Sequence, residues 1–426
     1  MTDTIFAPST ALGQAGIAVI RISGPQVLPV LKKHTSLKEI KARYAYMTYW
    51  QSQKEKTDQV IVIYYKTPHS FTGEDVAEIQ CHGSRAVIEQ ILKDLSCFKG
   101  CRMAQAGEFT RRALYNNKMD LTQAEGLLDL IHSQTKEQAR WAMRQMGGEL
   151  GNLYKKWRKE LIKICAQVEA YIDFPEEEIT GQYVGDIRKL IKEIQQHIQQ
   201  GEKGLKLAQG LLCVIAGEPN VGKSSLLNAL LKKDIAIVST TAGTTRDVIQ
   251  AQVDLEGYPV IIADTAGLRK TQASLEKEGI RRAKDCVKKS DILIYVLDST
   301  QKQQEIPSWV KKHPAAFVVY NKGDKKEHTG LCISAKTGKN IDILQKLLRE
   351  KVVEMMASSS PFLTHERYKE ALQKCCESLQ RALNEKEIEL IAEHLHQAIR
   401  ILGEITGFVR VDEILDQVFS TFCIGK

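Results

Sequence analysis

The stretch LLCVIAGEPNVGKSSLLNALL, residues 211–231, decides the fold: strand-type apolar residues enter a glycine-rich turn and leave it as helix-type sequence. Its centre, GEPNVGKS (217–224), fits GxxxxGK[ST] in the strand-to-helix setting where that spacing has a mechanism. Glycines let the backbone wrap around phosphates, and the loop N–H groups with the helix N-terminus face the negative oxygens. Lys223 then reaches the β- and γ-phosphates and Ser224 can ligate Mg²⁺, with Asn220, Val221, Gly222 and Ser225 belonging to the same loop.

Outward from this loop, strand-like runs alternate with helix-like ones from Leu211 to about Val353, among them YPVIIADTAG, DILIYVLD, AAFVVYNKGD and GLCISAK. That is the order of a parallel, doubly wound sheet. DTAG (264–267) closes one strand, placing Asp264 to hold the metal through a water, with Thr265 and Ala266 beside it and the Gly267 N–H at the γ-phosphate. NKGD (321–324) closes another, and a buried carboxylate at Asp324 would accept hydrogen bonds from guanine N1–H and the exocyclic amine, donors that adenine lacks. Asn321 with Ser334, Ala335 and Lys336 of SAK completes the base pocket, and the stem of Lys322 lies over the ring. In this order and spacing the motifs read as a GTPase.

Leu268 stands where Ras-like enzymes keep the glutamine that orients the attacking water, so another group must do that work. The candidates are Glu276, opening the helix-like EKEGIRRAKDCVKKS, and the hydroxyl-rich STTAGTTRD (239–247). The latter supplies Ser239, Thr240, Thr241, Ala242, Gly243, Thr244 and Thr245, with Thr245 the natural second Mg²⁺ ligand. Glu276 also reads as a carboxylate suited to a helix N-terminus. Asn220 likewise has two readings, an amide bonding its own turn or an oxygen for a monovalent cation beside the phosphates.

Upstream, IAVIRIS (17–23), QVIVIYYKT (59–67) and DVAEIQCHG (75–83) read as strands and SRAVIEQILKDL (84–95) as a helix, which predicts a small α+β domain over 1–118. Beyond Lys118, DLTQAEGLLDLI opens with Thr122 and Glu125 in capping-box spacing, and Leu153, Trp157, Leu161, Ile164 and Val168 recur at helical period. SSSP (358–361) marks a linker, after which the helical pattern resumes. The prediction is a multidomain α/β plus α chain. A Ras-like P-loop domain, 210–356, is inserted into a helical domain contributed by 119–209 and 357–426.

With 426 residues, 43% hydrophobic and 26% charged, and no low-complexity tract, the chain reads as globular and built of two or three domains. A net charge of +8 permits an anionic partner such as RNA without requiring one. The 10 cysteines show no CxxC pair and no Cys/His spacing suited to zinc, which fits reduced thiols in a cytosol. The N-terminus lacks signal-peptide features and no apolar run approaches a membrane span, so the expectation is a soluble, cytoplasmic protein without a membrane partner.

Taken together these motifs resemble the tRNA-modification GTPases called MnmE or TrmE, over almost the whole chain. The likeness is carried by GIAVIRISG (16–24), FTGEDVAEIQCHG (71–83), GEFTRRALYNNKMDLTQAEGLLDLI (107–131), AGTTRD (242–247) and FCIGK (422–426), beside the G motifs. The resemblance implies an N-terminal tetrahydrofolate-binding domain that dimerises, a helical domain from two chain segments, and an inserted G domain. By the same resemblance Arg21, Glu78, Lys118 and Lys426 contact a formyl- or methylenetetrahydrofolate. Asn220 gives its side chain to K⁺ with carbonyls of Ser239, Thr241 and Thr244, Glu276 orients water indirectly, and G domains pair across the homodimer. The implied reaction is GTP hydrolysis that, with the FAD-dependent partner MnmG (GidA) in a heterotetramer, serves addition of an aminomethyl-type group, typically carboxymethylaminomethyl, at C5 of the wobble uridine of certain tRNAs. Thr240 and Thr241 depart from the acidic-then-apolar pair that many relatives carry.

Near the end, Val411, Ile414, Leu415, Val418, Phe419 and Phe422 recur at helical spacing, so the tail is anchored. The resemblance places Cys423 close to the modification chemistry and leaves open whether its thiol reacts. Gly425 and Lys426 serve a prenylation signal poorly. A rival class, an RNA-binding regulatory GTPase of the ribosome-assembly type, shares the G motifs but would carry a KH-like domain, and no GXXG loop in such a setting flanks the G domain.

Overall fold

A computed structural model describes residues 3–11, 13–173, 182–233, 236–237, 250–264, 286–301, 304–356, 363–409 and 411–425. The chain divides into two compact units, one of Met1–Leu128, Met146–Glu160 and Ile399–Lys426, the other of Asp129–Gln145 and Leu161–Ala398.

In the first unit the described residues form a six-stranded sheet from β1 (Thr4–Pro8), β2 (Ala15–Ser23), β3 (Ala45–Ser52), β4 (Glu55–Tyr65), β5 (Val76–Gly83) and β6 (Cys101–Met103), ordered β3-β4-β5-β2-β1-β6. Only β1 and β6 pair in parallel; the other neighbours are antiparallel. Alternation along β2 sends Ile20 and Ile22 into a core with Leu31, Trp50, Val62 and Ile79, under α1 (Val27–His34) and α2 (Arg85–Ser96). Each such side chain contributes about 1.5–3 kcal/mol by leaving water, so the register that buries them is strongly preferred. Ser84 caps α2 by accepting from the Val87 N–H. The expected runs coincide with β2, β4, β5 and α2 to within four residues at either end, and β1, β3, β6 and α1 have no counterpart among them.

Helices α3 (Glu108–Tyr115) and α4 (Leu121–His132) follow, and the start of α4 differs from the expected Thr122 and Glu125 box. Asp120 is the capping residue: its Oδ1 accepts from the Gln123 N–H at 2.9 Å while Gln123 Oε1 accepts from the Asp120 N–H at 3.0 Å. Thr122 instead donates its hydroxyl to Asp120 Oδ1. The carboxylate is the better acceptor, so it takes the cap two residues earlier. Next come α5 (Lys136–Met146), α6 (Glu149–Asp173) and α7 (Gln182–Gln209). The apolar stripe of α6 is buried at Trp157, Leu161, Ile164 and Val168, whereas Leu153 is half-buried and Tyr154 beside it takes the core position.

The second unit contains β7 (Leu211–Gly217), α8 (Lys223–Lys233), β8 (Ala236–Ile237), β9 (Gln250–Leu255), β10 (Tyr258–Asp264), β11 (Ile292–Asp298), the short α9 (Ser308–Lys311), β12 (Ala316–Asn321) and α10 (Ile341–Met356). Its described strands run β12-β11-β7-β10-β9-β8, with β12, β11, β7 and β10 parallel and β9 antiparallel. ILIYVLD of β11 is buried at every position, as expected of a parallel strand covered on both faces. The parallel neighbours of β7 lie on opposite sides of it, so its C-terminal end is the topological switch point where such sheets open a crevice. The expected helix EKEGIRRAKDCVKKS lies mostly outside the described residues, with 286–289 helical, and SSSP lies wholly outside them.

After α11 (Glu366–Asn384) and α12 (Ile388–Thr406), helix α13 (Asp412–Ser420) packs Leu415 and Phe419, with Phe422, on Leu114, Leu121, Ala124 and Leu128. The tail then seats within the first unit: Ile424 bridges to Ala106, and the Ser9 hydroxyl donates to the Gly425 carbonyl at 3.0 Å. Gly425 has φ +101°, and a Cβ there would stand 1.9 Å from the Pro8 oxygen, so glycine alone fits this seat. The ten cysteines are all free thiols. Among the described residues no helix is long and apolar enough to cross a membrane.

Candidate functional site

The crevice at the end of β7 gathers the residues that the motifs pick out. Lys223 is buried and its Nζ donates to the Glu218 carbonyl at 2.7 Å, which holds the ammonium over the loop. Ser224 Oγ donates to Oδ2 of the fully buried Asp264 at 2.6 Å, bringing a hydroxyl from the start of α8 against a carboxylate from the end of β10. Asn220, at φ +64°, and Ser225 are exposed.

The NKGD end is tied to the same loop. Asn321 is buried at the end of β12; its Nδ2 donates to the Val221 carbonyl at 2.8 Å, and its Oδ1 accepts from the Ala335 N–H at 2.9 Å. A single amide therefore fixes the phosphate loop relative to the SAK segment. The fit leaves no room at Gly222, where a Cβ would lie 2.3 Å from Asn321 Nδ2 and φ is +95°.

Asp324 is exposed, not buried as the sequence reading had it, because it sits past the strand end with one oxygen held by Ser334 Oγ at 2.6 Å and the rest facing solvent. That hydrogen bond, chiefly, keeps its carboxyl below the usual carboxylate range. Lys322 donates its Nζ to Asp298 Oδ2 at 2.5 Å, and Lys336 is exposed. Burial works against the charge on Asp298, but the Lys322 contact outweighs it and lowers the pKa. Asp298 was missed in the sequence; its only signal was its place at the end of the apolar run DILIYVLD. Ser239, Thr240, Thr241, Ala242, Gly243, Thr244, Thr245, Thr265, Ala266, Gly267, Glu276 and Lys426 lie outside the described residues.

A second constellation lies on the face of the first sheet opposite its main core. Arg21 on β2 and Glu78 on β5 are register partners, and Arg21 donates to Glu78 Oε1 from Nη2 at 2.8 Å and Nε at 3.2 Å. The guanidinium stands 5.3 Å from the Phe71 ring centre and 5.9 Å from that of Phe109. Lys118 is directed elsewhere, donating to the Pro68 carbonyl at 2.8 Å from an exposed position, and Cys423 is exposed. Sequence reasoning missed the fully buried Arg112, which donates to Asp3, Glu74 and Glu108 and knots β1, the FTGE loop and α3 together.

Comparison with known proteins agrees with this arrangement. Residues 4–118 match the family model of the GTP-binding protein TrmE N-terminus, and residues 121–423 match that of the MnmE helical domain. The chain belongs to the MnmE family. The tRNA modification GTPase MnmE of Rickettsia rickettsii is 41% identical over 100% of both chains, and that of Wolbachia pipientis subsp. Culex pipiens is 42% identical over 100% of this chain and 99% of its own. A solved structure of a probable GTP-binding protein, engB, is 26% identical over 34% of this chain and 99% of that one, with a TM-score of 0.24. As a member of the MnmE family the chain is a GTPase with an N-terminal TrmE domain, a helical domain and a P-loop domain, and the ribosome-assembly reading falls away.

Proposed function

We propose that GTP hydrolysis in this chain serves tRNA modification, as the names of its MnmE relatives support, and that the modified base is the wobble uridine of certain tRNAs. The observation that carries the GTP half is the convergence of Lys223, the Ser224–Asp264 pair and the Asn321 bridge at one end of the parallel sheet. The hydroxyl and carboxylate at 2.6 Å are oxygen donors suited to a hard divalent cation. Mg²⁺ held there, with Thr245, would neutralise charge on the phosphates. Lys223 binds the phosphate oxygens, Asn321, Lys322, Asp324, Ser334, Ala335 and Lys336 select guanine, and Glu276 orients water. Asn220, exposed at a left-handed φ, offers its amide oxygen to K⁺ with the carbonyls of Ser239, Thr241 and Thr244.

In the first unit, the Arg21–Glu78 pair beside the half-buried Phe71 ring, with the buried Phe109 beneath, offers the donors, acceptor and one flat apolar face that suit a pterin, so a tetrahydrofolate one-carbon donor fits there. Lys426 would hold its anionic tail, joined by Lys118 once its ammonium leaves the Pro68 carbonyl, and Cys423 would lie near the transferred carbon. The chain works in the cytoplasm as a homodimer, with an FAD-dependent MnmG (GidA) partner, to add a carboxymethylaminomethyl-type group at C5. Its domains are 1–118, 119–209, 210–356 and 357–426.

Nucleoside analysis of tRNA tests the reading. Cells lacking the chain should lose the C5-modified wobble uridine, the intact chain should restore it, and Lys223→Ala should not. An unchanged nucleoside profile in the lacking cells would sink the proposal.

A further inference from the structure

Away from both constellations, α6 and α12 place three dissimilar donors together. Cys165 and Glu169 are one helical turn apart on α6, and His396 faces them from α12. The Sγ atom lies 3.7 Å from His396 Nε2 and 3.9 Å from Glu169 Oε1, and Nε2 lies 2.8 Å from Oε1. A tetrahedral zinc ion with one sulfur, one nitrogen and one oxygen ligand requires about 3.5 Å between sulfur and either lighter atom and about 3.3 Å between nitrogen and oxygen. The donors need move only by about half an ångström to meet those separations.

We propose that Cys165, Glu169 and His396 form a binding site for a divalent transition-metal ion, zinc by its chemistry. Thiolate with imidazole excludes Mg²⁺ and Ca²⁺, which take oxygen ligands, and suits a borderline-soft ion. Cys165 is buried while the side chains of Glu169 and His396 are 48% and 60% exposed, so the sulfur floors the site and the fourth position opens to water. Loading replaces the thiol proton, which leaves to solvent, and breaks the His396–Glu169 hydrogen bond in favour of two metal bonds. The bound ion clamps α6 to α12. The competing account makes Cys165 a small core filler beside an exposed His–Glu pair that adds little stability. The spacing hid the site in the sequence, since the imidazole comes from a distant helix.

The two accounts part in a cobalt titration of the full, chelator-treated chain under a reductant that does not bind metal. The proposal expects one Co²⁺ per chain, with a thiolate-to-cobalt charge-transfer band and the intense visible bands of a tetrahedral centre, displaced by Zn²⁺. His396→Gln, an exposed change that leaves the helix packing in place, should weaken binding at least about 10-fold. Cys165→Ser should abolish the charge-transfer band while far-ultraviolet circular dichroism stays unchanged. Zn²⁺ should raise the melting temperature of the unmodified chain and not that of His396→Gln. No band, or a band that survives in Cys165→Ser, overturns the proposal, and so does an equal thermal shift in the two proteins.

Discussion

Asn321 shows how one side chain can join two motifs. Its amide is occupied on both edges, by the Val221 carbonyl and the Ala335 N–H, so within the proposed base pocket Asn321 acts by holding the other members in place. The carboxylate of Asp324 is steadied by Ser334 and held in its ionised form by that contact. Asp324→Asn replaces an acceptor with a donor facing guanine N1–H; GTP affinity should fall about 10- to 100-fold and shift toward xanthosine triphosphate, measured by titration with fluorescent nucleotides. Equal affinity for GTP before and after the change would remove Asp324 from the base pocket. These residues were legible because each motif is short and its chemistry lies in neighbouring backbone. Arg112 was not, because Asp3, Glu74 and Glu108 meet it only after the sheet has formed.

Among elements, helix α4 depends on the reciprocal Asp120–Gln123 cap, reinforced by Lys155, whose Nζ is 2.6 Å from Asp120. Asp120→Ala should lower stability by about 1–2 kcal/mol, seen as an earlier midpoint in urea with the slope unchanged. Capping shows the limit of pattern reading: Thr122 and Glu125 have the correct spacing, yet Asp120 outcompetes them as an acceptor. Strands divided along similar lines. The buried runs of the second sheet announce themselves as continuous apolar sequence. Edge strand β3 has Met47 and Tyr49 outward and Thr48 and Trp50 inward, so its core pattern is carried partly by a threonine and was overlooked.

At the scale of the molecule, the two units carry different acid-labile groups. His197 in the second unit is buried, and burial pushes its pKa from 6.5 to about 4. Unfolded chain takes up that proton below about 6.5 while folded chain refuses it until about 4, so stability falls with pH through this window, by about 3 kcal/mol. In the first unit burial opposes the charges on Asp3 and Glu108, but Arg102 and Arg112 outweigh it and hold both carboxyls below their usual values. Their contribution is complete above the usual carboxylate range and is lost only as pH falls through the lower folded values. Urea midpoints between pH 7 and pH 5 should therefore decline in the unmodified chain and decline less in His197→Gln. Matching slopes would assign the sensitivity elsewhere.

The seat of Gly425 against Pro8 also sets an order in time. The first unit is assembled from segments separated by Leu161–Ala398, so a ribosome must make nearly all of the second unit before α13 exists to cover Leu114, Leu121 and Leu128. At about 5–20 residues per second, that apolar patch waits tens of seconds for its cover. A nascent chain interrupted within that interval leaves Leu114, Leu121 and Leu128 without the cover that α13 supplies in the finished protein.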